Sequence, residues 1–152
     1  MQSRGYRQGD VEAMYGLDQE CFSGPFQFDH ETMQEAAEAE SSIVVVVEND
    51  GGREMLGFLI VHAEGTARDR YAYIITIDVA AGTRQQGVGA RMLLEAEDQA
   101  RRAGLKRMGL HVAVDNVGAI AFYERLGYER VGRETGFYRQ AGLDALIYAK
   151  QL

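Results

Sequence analysis

The chain has one cysteine and one proline among its 152 residues, and no long apolar run. Each shortage excludes something. A lone Cys21 can form neither an internal disulfide nor a cysteine-rich metal site, and it reads as a small buried apolar residue. No metal site is expected. The apolar run from Ile43 to Val47 is too short to span a bilayer. The opening MQSRGYRQGD has no apolar centre and does not read as a signal peptide. A cytoplasmic protein with no membrane partner is therefore expected. Basic residues are outnumbered: 16 Lys and Arg against 23 Asp and Glu leave a net charge of −7. That argues against nucleic acid, which wants a basic face, and is compatible with a cationic partner such as an amine. There is no internal repeat, low-complexity tract or linker. With 46% hydrophobic and 26% charged residues, the composition is globular, and one domain over residues 1–152 is expected.

What is present concentrates between Tyr71 and Ala103. Tyr71 to Val79, rich in Ile, Thr and Tyr, is predicted as a strand. Val88, Met92, Leu93, Ala96 and Ala100 recur at helical spacing. Between strand and helix lies Arg84-Gln85-Gln86-Gly87-Val88-Gly89, with Ala90 following. Glycines at the mouth of a helix let backbone N–H groups face open space, and those first N–H groups carry partial positive charge. Arg84 adds a permanent charge, so the loop suits a pyrophosphate. Two other phosphate loops do not fit. No Gly-Lys-Ser/Thr ending occurs, and Met92 stands where a dinucleotide fingerprint places its third small residue. On spacing alone the stretch is either an anion cradle or a plain strand-to-helix connector.

The remaining elements follow from local signals. Arg4 to Arg7 reads as a short edge strand, and Asp10 as the N-cap of a helix with Val11, Met14, Leu17 and Cys21 on one face. Phe22 to Phe28 is an aromatic loop, followed by a helix from Asp29 or His30 to about Glu40. Ile43 to Glu48 is a strand covered on both faces, joined by the turn Asn49-Asp50-Gly51-Gly52 to a return strand, Met55 to Ala63. Ala63 to Arg70 reads as a polar connection. After the helix ending at Gly104 come a strand from Arg107 to Val114, a helix capped by Asp115 or Asn116 and stopped by Gly127, and a hairpin of Tyr128 to Tyr138 with Ala145 to Lys150. This order predicts an α/β fold of the mixed-sheet (α+β) kind with helices on both faces.

Two runs carry a family resemblance. Val79-x-x-x-x-Arg84-x-x-Gly87-x-Gly89 resembles the acyl-CoA-binding signature of the GNAT acetyltransferase superfamily. Asn116-x-x-Ala119-x-x-Phe122-Tyr123-x-x-x-Gly127-Tyr128 resembles its second signature. The resemblance covers essentially the whole chain. It implies a mostly antiparallel sheet of about seven strands, splayed open for acetyl-CoA. It implies further that Ile77, Asp78 and Val79 hold the pantetheine arm through their backbone, that the Val79 N–H serves the oxyanion, and that Asn116 and Phe122 contact the cofactor. Asn116 alone could equally be a helix cap, and the side chain of Asp78 an ordinary solvent-facing strand residue.

Within the superfamily, the second half of the chain resembles ribosomal-protein alanine N-acetyltransferases, which carry Leu-Glu-Val-Arg with the glutamate as base. Here the same place reads Leu110-His111-Val112-Ala113. A lone histidine in a strand is ordinarily structural. However, Tyr73-Ile-x-Thr76 with Leu110-His111-Val112 resembles the NatE-type N-terminal acetyltransferases, where the matching Tyr and His share a proton-accepting water. The resemblance thus implies Tyr73 and His111 as base and Tyr123 as acid, with Phe22, Pro25, Phe26 and Tyr138 lining the acceptor groove. Phe137 replaces a tyrosine of that groove and loses its hydroxyl, and Phe137 and Tyr138 could equally serve hairpin packing. The implied activity is acetyl transfer from acetyl-CoA to a primary amine, preferably a protein N-terminus, by a monomer or homodimer. A small-molecule amine acetyltransferase and a non-catalytic acyl-CoA sensor are the alternatives.

Overall fold

The structure is a computed structural model describing residues 1–152. In chain order its elements are β1 (Gln2–Arg4), α1 (Val11–Cys21), α2 (His30–Glu38), β2 (Ser42–Glu48), β3 (Met55–Thr66), β4 (Asp69–Val79), α3 (Val88–Arg102), β5 (Arg107–Ala113), α4 (Val117–Arg125), β6 (Glu129–Tyr138) and β7 (Leu143–Gln151). The strands form one seven-stranded sheet in the order β1-β2-β3-β4-β5-β7-β6. Every neighbouring pair is antiparallel except β4 and β5, which run parallel.

The sheet is covered on both sides, because helix faces and strand runs supply two separate apolar surfaces. Val88, Met92, Leu93, Ala96 and Ala100 of α3 join a 20-residue core with Val45, Leu59, Leu110 and Tyr123. Val11, Met14 and Leu17 of α1 and Met33 and Ala37 of α2 pack on Val44, Val46, Phe58 and Ile60 from the opposite side. No helix is long and apolar enough to cross a membrane.

The parallel pair is where the sheet opens. β4 and β5 pair only at Ala72 with Met108 and Tyr73 with Gly109. Beyond that point β5 stays paired to β7 as far as Ala113, while β4 stays on β3. Ile60 of β3 faces Thr76 of β4 and Val61 faces Ile74, so Ile75 is an extra residue in β4, a bulge that bends the strand. A splayed opening thus lies between the ends of β4 and β5.

Three local expectations are corrected. The first strand is Gln2–Arg4, not Arg4 to Arg7: Arg4 is its last paired residue, opposite Val46, and its guanidinium ties Glu48 of β2 to Asp10, where the chain turns into α1. Asp10 sits at the start of α1 but does not cap it: its carboxylate accepts from the Arg7 N–H and the Arg4 guanidinium. The polar segment Ala63 to Arg70 is not a loop but the exposed end of the β3–β4 ribbon, paired out to Thr66 with Asp69. Its polarity reports exposure rather than irregular backbone. α2 and α4 are capped by side chains, Asp29 accepting from the Thr32 N–H and Asn116 from the Ala119 N–H.

Candidate active site

Two adjoining cavities occupy the opening, and Phe22, Ile77, Asn116 and Ala119 line both. The larger has a volume of about 800 Å³. Its walls include Ile77 and Val79 of β4, Arg84, Gln85, Gly87, Val88, Gly89 and Ala90, and Asn116 and Phe122. Arg91 is the first residue of α3 whose N–H reaches back, to the Gly87 carbonyl at 3.0 Å. The N–H groups of Val88, Gly89 and Ala90 therefore lack an intrahelical acceptor at the cavity wall. With the Arg84 guanidinium beside them, this donor set fits a diphosphate.

The two glycines of the loop serve different ends. Gly87 has φ +82°, a left-handed conformation that favours glycine. Gly89 has ordinary backbone, but a Cβ there would lie 3.2 Å from the Phe122 ring, so its smallness brings α3 close to α4. Gln86 is exposed, bonds to the Gly82 carbonyl and does not line the cavity.

β4 presents its backbone to the cavity at alternate residues. The Ala80 N–H donates to the Leu56 carbonyl, and the register pairs Asp78 with Phe58 and Val79 with Gly57. In an antiparallel ladder this makes Ile77 and Val79 the positions whose N–H groups point away from β3. The expectation for Asp78 is thereby corrected. Its backbone faces β3, and its side chain is 1% exposed rather than solvent-facing. The carboxyl meets that of Asp18, also buried, and accepts from the Thr76 hydroxyl at 2.6 Å. Burial, and then the Asp18 carboxyl, push Asp78 well above the usual carboxylate range. Asp18 Oδ1 and Asp78 Oδ2 find no donor unless one carboxyl keeps a proton. Cys21 is also corrected: it is half-buried, lines the larger cavity, and its thiol donates to the Val79 carbonyl at 3.3 Å.

The smaller cavity, about 310 Å³, brings together Phe22, Pro25, Phe26, His111, Tyr123 and Tyr138. The aromatic loop is pinned by the Phe28 N–H, which donates to Asp18 at 2.8 Å, and by Gln27, which donates to the Phe22 carbonyl at 2.9 Å. The Phe26 ring leans on Tyr138 with centroids 5.2 Å apart.

Tyr73 and His111 meet because β4 and β5 are still in register there. Tyr73 lies beside Gly109, which puts no side chain between it and His111, two residues on along the same face. The Tyr73 hydroxyl is 2.7 Å from His111 Nδ1. Glu134 of β6 reaches His111 Nε2 at 3.2 Å, and the Phe137 ring stacks on the imidazole. Tyr123 is 5% exposed; where Tyr128 and Tyr148 donate to Glu97 and Glu124, its hydroxyl has no acceptor in the chain. Burial pushes the phenols of Tyr73 and Tyr123 up, and that of Tyr138 to about 12, so all three hold their protons at neutral pH. Tyr73 and Tyr123 do not line the larger cavity, and Tyr73 lies behind His111 rather than on the wall of the smaller one.

Sequence reasoning missed Asp18 and Glu134. Asp18 had a signal: with Met14 and Cys21 it falls at i, i+4 and i+7, on the inward face of α1. Glu134 had none, because its approach to His111 depends on the strand order β5-β7-β6.

The Acetyltransferase (GNAT) family model matches residues 11–128. The streptothricin acetyltransferase of Streptomyces lavendulae is 32% identical, with 90% of this chain and 85% of that one covered. The N-terminal acetyltransferase B complex catalytic subunit naa20 of Schizosaccharomyces pombe is 30% identical over 64% of this chain and 54% of its own. The chain likewise spans about half the length of several other curated relatives. Among solved structures, Arabidopsis thaliana NAA60 in complex with acetyl-CoA superposes with a TM-score of 0.85 at 20% identity, covering 99% of this chain and 98% of that one.

Proposed function

The chain belongs to the GNAT acetyltransferase family, and on that premise we propose that it transfers an acetyl group from acetyl-CoA directly to a primary amine. The preferred acceptor is a protein or peptide N-terminal α-amine. One observation carries the reading: a cavity walled by free helix N–H groups adjoins a second one that holds His111 and Tyr123.

Acetyl-CoA would supply the acyl group as a thioester. Arg84 and the N–H groups of Val88, Gly89 and Ala90 would hold its pyrophosphate, and the outward N–H of Ile77 its arm. The Val79 N–H would hold the charge that grows on the acetyl oxygen. As the amine nitrogen bonds to the acetyl carbon and the carbon–sulfur bond breaks, Tyr123 would give its proton to the sulfur. The proton leaving the amine would pass through water to the Tyr73–His111 pair. An α-amine with a pKa of about 8 suits an imidazole base better than a lysine amine near about 10.4.

The S. lavendulae relative, similar over nearly its full length, favours a small-molecule amine as the second reading. Thiol release from acetyl-CoA, followed across peptides with varied first residues and across free amines, separates the two. Turnover of peptides is the expected result. Turnover of free amines alone overturns the peptide acceptor, and tight acetyl-CoA binding without any turnover overturns catalysis.

A further inference from the structure

The imidazole of His111 is held at both nitrogens. Nδ1 lies 2.7 Å from the Tyr73 hydroxyl and Nε2 lies 3.2 Å from Glu134 Oε1. The Phe137 ring lies flat on it, with centroids 4.0 Å apart and planes 4° from parallel. The Glu134 carboxylate makes no other hydrogen bond within the chain and is 51% exposed.

These contacts select one form of the ring. A neutral imidazole has one N–H and one lone pair. With the proton on Nδ1, the Nε2 lone pair would face the oxygen of an ionised carboxylate. With the proton on Nε2, every group is satisfied: Nε2–H donates to Glu134, and the Tyr73 hydroxyl donates to Nδ1. Once the ring takes a second proton, both nitrogens donate, and the carboxylate lies against the new charge.

We propose that Glu134 is a positioning residue for acetyl transfer, fixing His111 in the Nε2–H tautomer so that Nδ1 is the nitrogen that gains the amine's proton. The inference rests on the reading of Tyr73 and His111 as the base. The relay balances. An N–H bond of the amine breaks, its proton travels through water, and an N–H bond forms at His111 Nδ1, with the Tyr73 hydroxyl turning to accept from it. The phenol is neutral before and after, and the positive charge rests on His111 against Glu134.

The titratable groups around the imidazole are Tyr73 from β4, Tyr123 from α4, and Glu134 and Tyr138 from β6; Glu64 of β3 acts on Tyr73 from behind. Burial keeps the three phenols neutral, so Glu134 is the charge in contact with the ring. Because that carboxylate is half exposed, its effect is modest and screened by salt.

The test is nitrogen-detected NMR titration of the three histidines, His30, His62 and His111, in the whole chain. The wild type is expected to show His111 as the Nε2–H tautomer. Glu134→Gln removes the charge and leaves an acceptor, so the midpoint of His111 should fall, and by less in 1 M salt. Glu134→Ala removes both and should mix the tautomers. Unmoved midpoints for His30 and His62 report an intact fold. The acid limb of kcat/KM should move with the His111 midpoint, while KM for acetyl-CoA stays put. An Nδ1–H tautomer in the wild type, or an identical His111 midpoint in wild type and Glu134→Gln, overturns the inference. A shifted midpoint in a protein that acetylates no amine supports Glu134's hold on His111 and overturns the proposed function instead.

Discussion

Two side chains separate the chemistry from the scaffold. Tyr123 is almost fully buried, yet its hydroxyl donates to nothing in the chain. Tyr123→Phe keeps the ring that packs beside Phe122 and Tyr128 and loses only the proton donor. We expect kcat to fall by about 10²-fold with the unfolding midpoint nearly unchanged, read by steady-state kinetics beside thermal melts. A large loss of stability without loss of kcat would assign Tyr123 to packing. His111→Ala tests the other end of the transfer. The wild-type rate should rise with pH as the imidazole loses its proton, and the variant should lose that limb, the two curves diverging most above it. Parallel pH–rate curves for the two proteins would remove His111 from the base.

At the scale of elements, the site depends on how closely α3 lies on the sheet. Gly57 of β3 is the point of contact: a Cβ there would come within 2.9 Å of the Asp78 carbonyl and 3.0 Å of Val88 and Met92. Gly57→Ala should overpack this contact, costing about 1–3 kcal/mol in urea unfolding, and should weaken acetyl-CoA binding by tilting the N-terminus of α3. Unchanged affinity in calorimetry would mean that the cradle does not depend on this packing. The helix itself was legible in the sequence, because helical periodicity is a local signal, and all five of its named apolar residues are buried. β2 was legible for the same reason, as an unbroken apolar run between two helix-covered faces. The end of the β3–β4 ribbon was not, since exposed strands carry the polar residues of loops. Contacts made across elements were legible only where the resemblance carried them, as for Tyr73 and His111. The burial of Asp78 is set by Asp18 from α1, and the surroundings of His111 by a strand far away in sequence.

For the whole molecule, the Asp18–Asp78 pair makes stability depend on pH. The pair joins α1, on one face of the sheet, to the strand that borders the larger cavity. Burial, reinforced by Asp18, raises the Asp78 carboxyl to about 9, whereas an unfolded chain releases that proton near about pH 3.9. Between those values the native state binds a proton that the unfolded state does not. The contribution is therefore complete below the unfolded pKa and is lost progressively as pH rises toward the folded one. Asp144 works in the opposite sense: the Gly136 N–H and then Arg133 hold its carboxyl below the usual range, a contribution lost only as pH falls below the unfolded value. Stability should thus peak in mild acid and decline toward pH 9. Asp78→Asn keeps a donor for Asp18 without a titrating proton. Urea unfolding at pH 5 and pH 8 should show the wild type losing more stability than the variant across that interval, with the variant the more stable of the two at pH 8. Equal losses in both proteins would mean that the pair is ionised in the native state, and that the orphaned oxygens of Asp18 and Asp78 find their proton donors elsewhere.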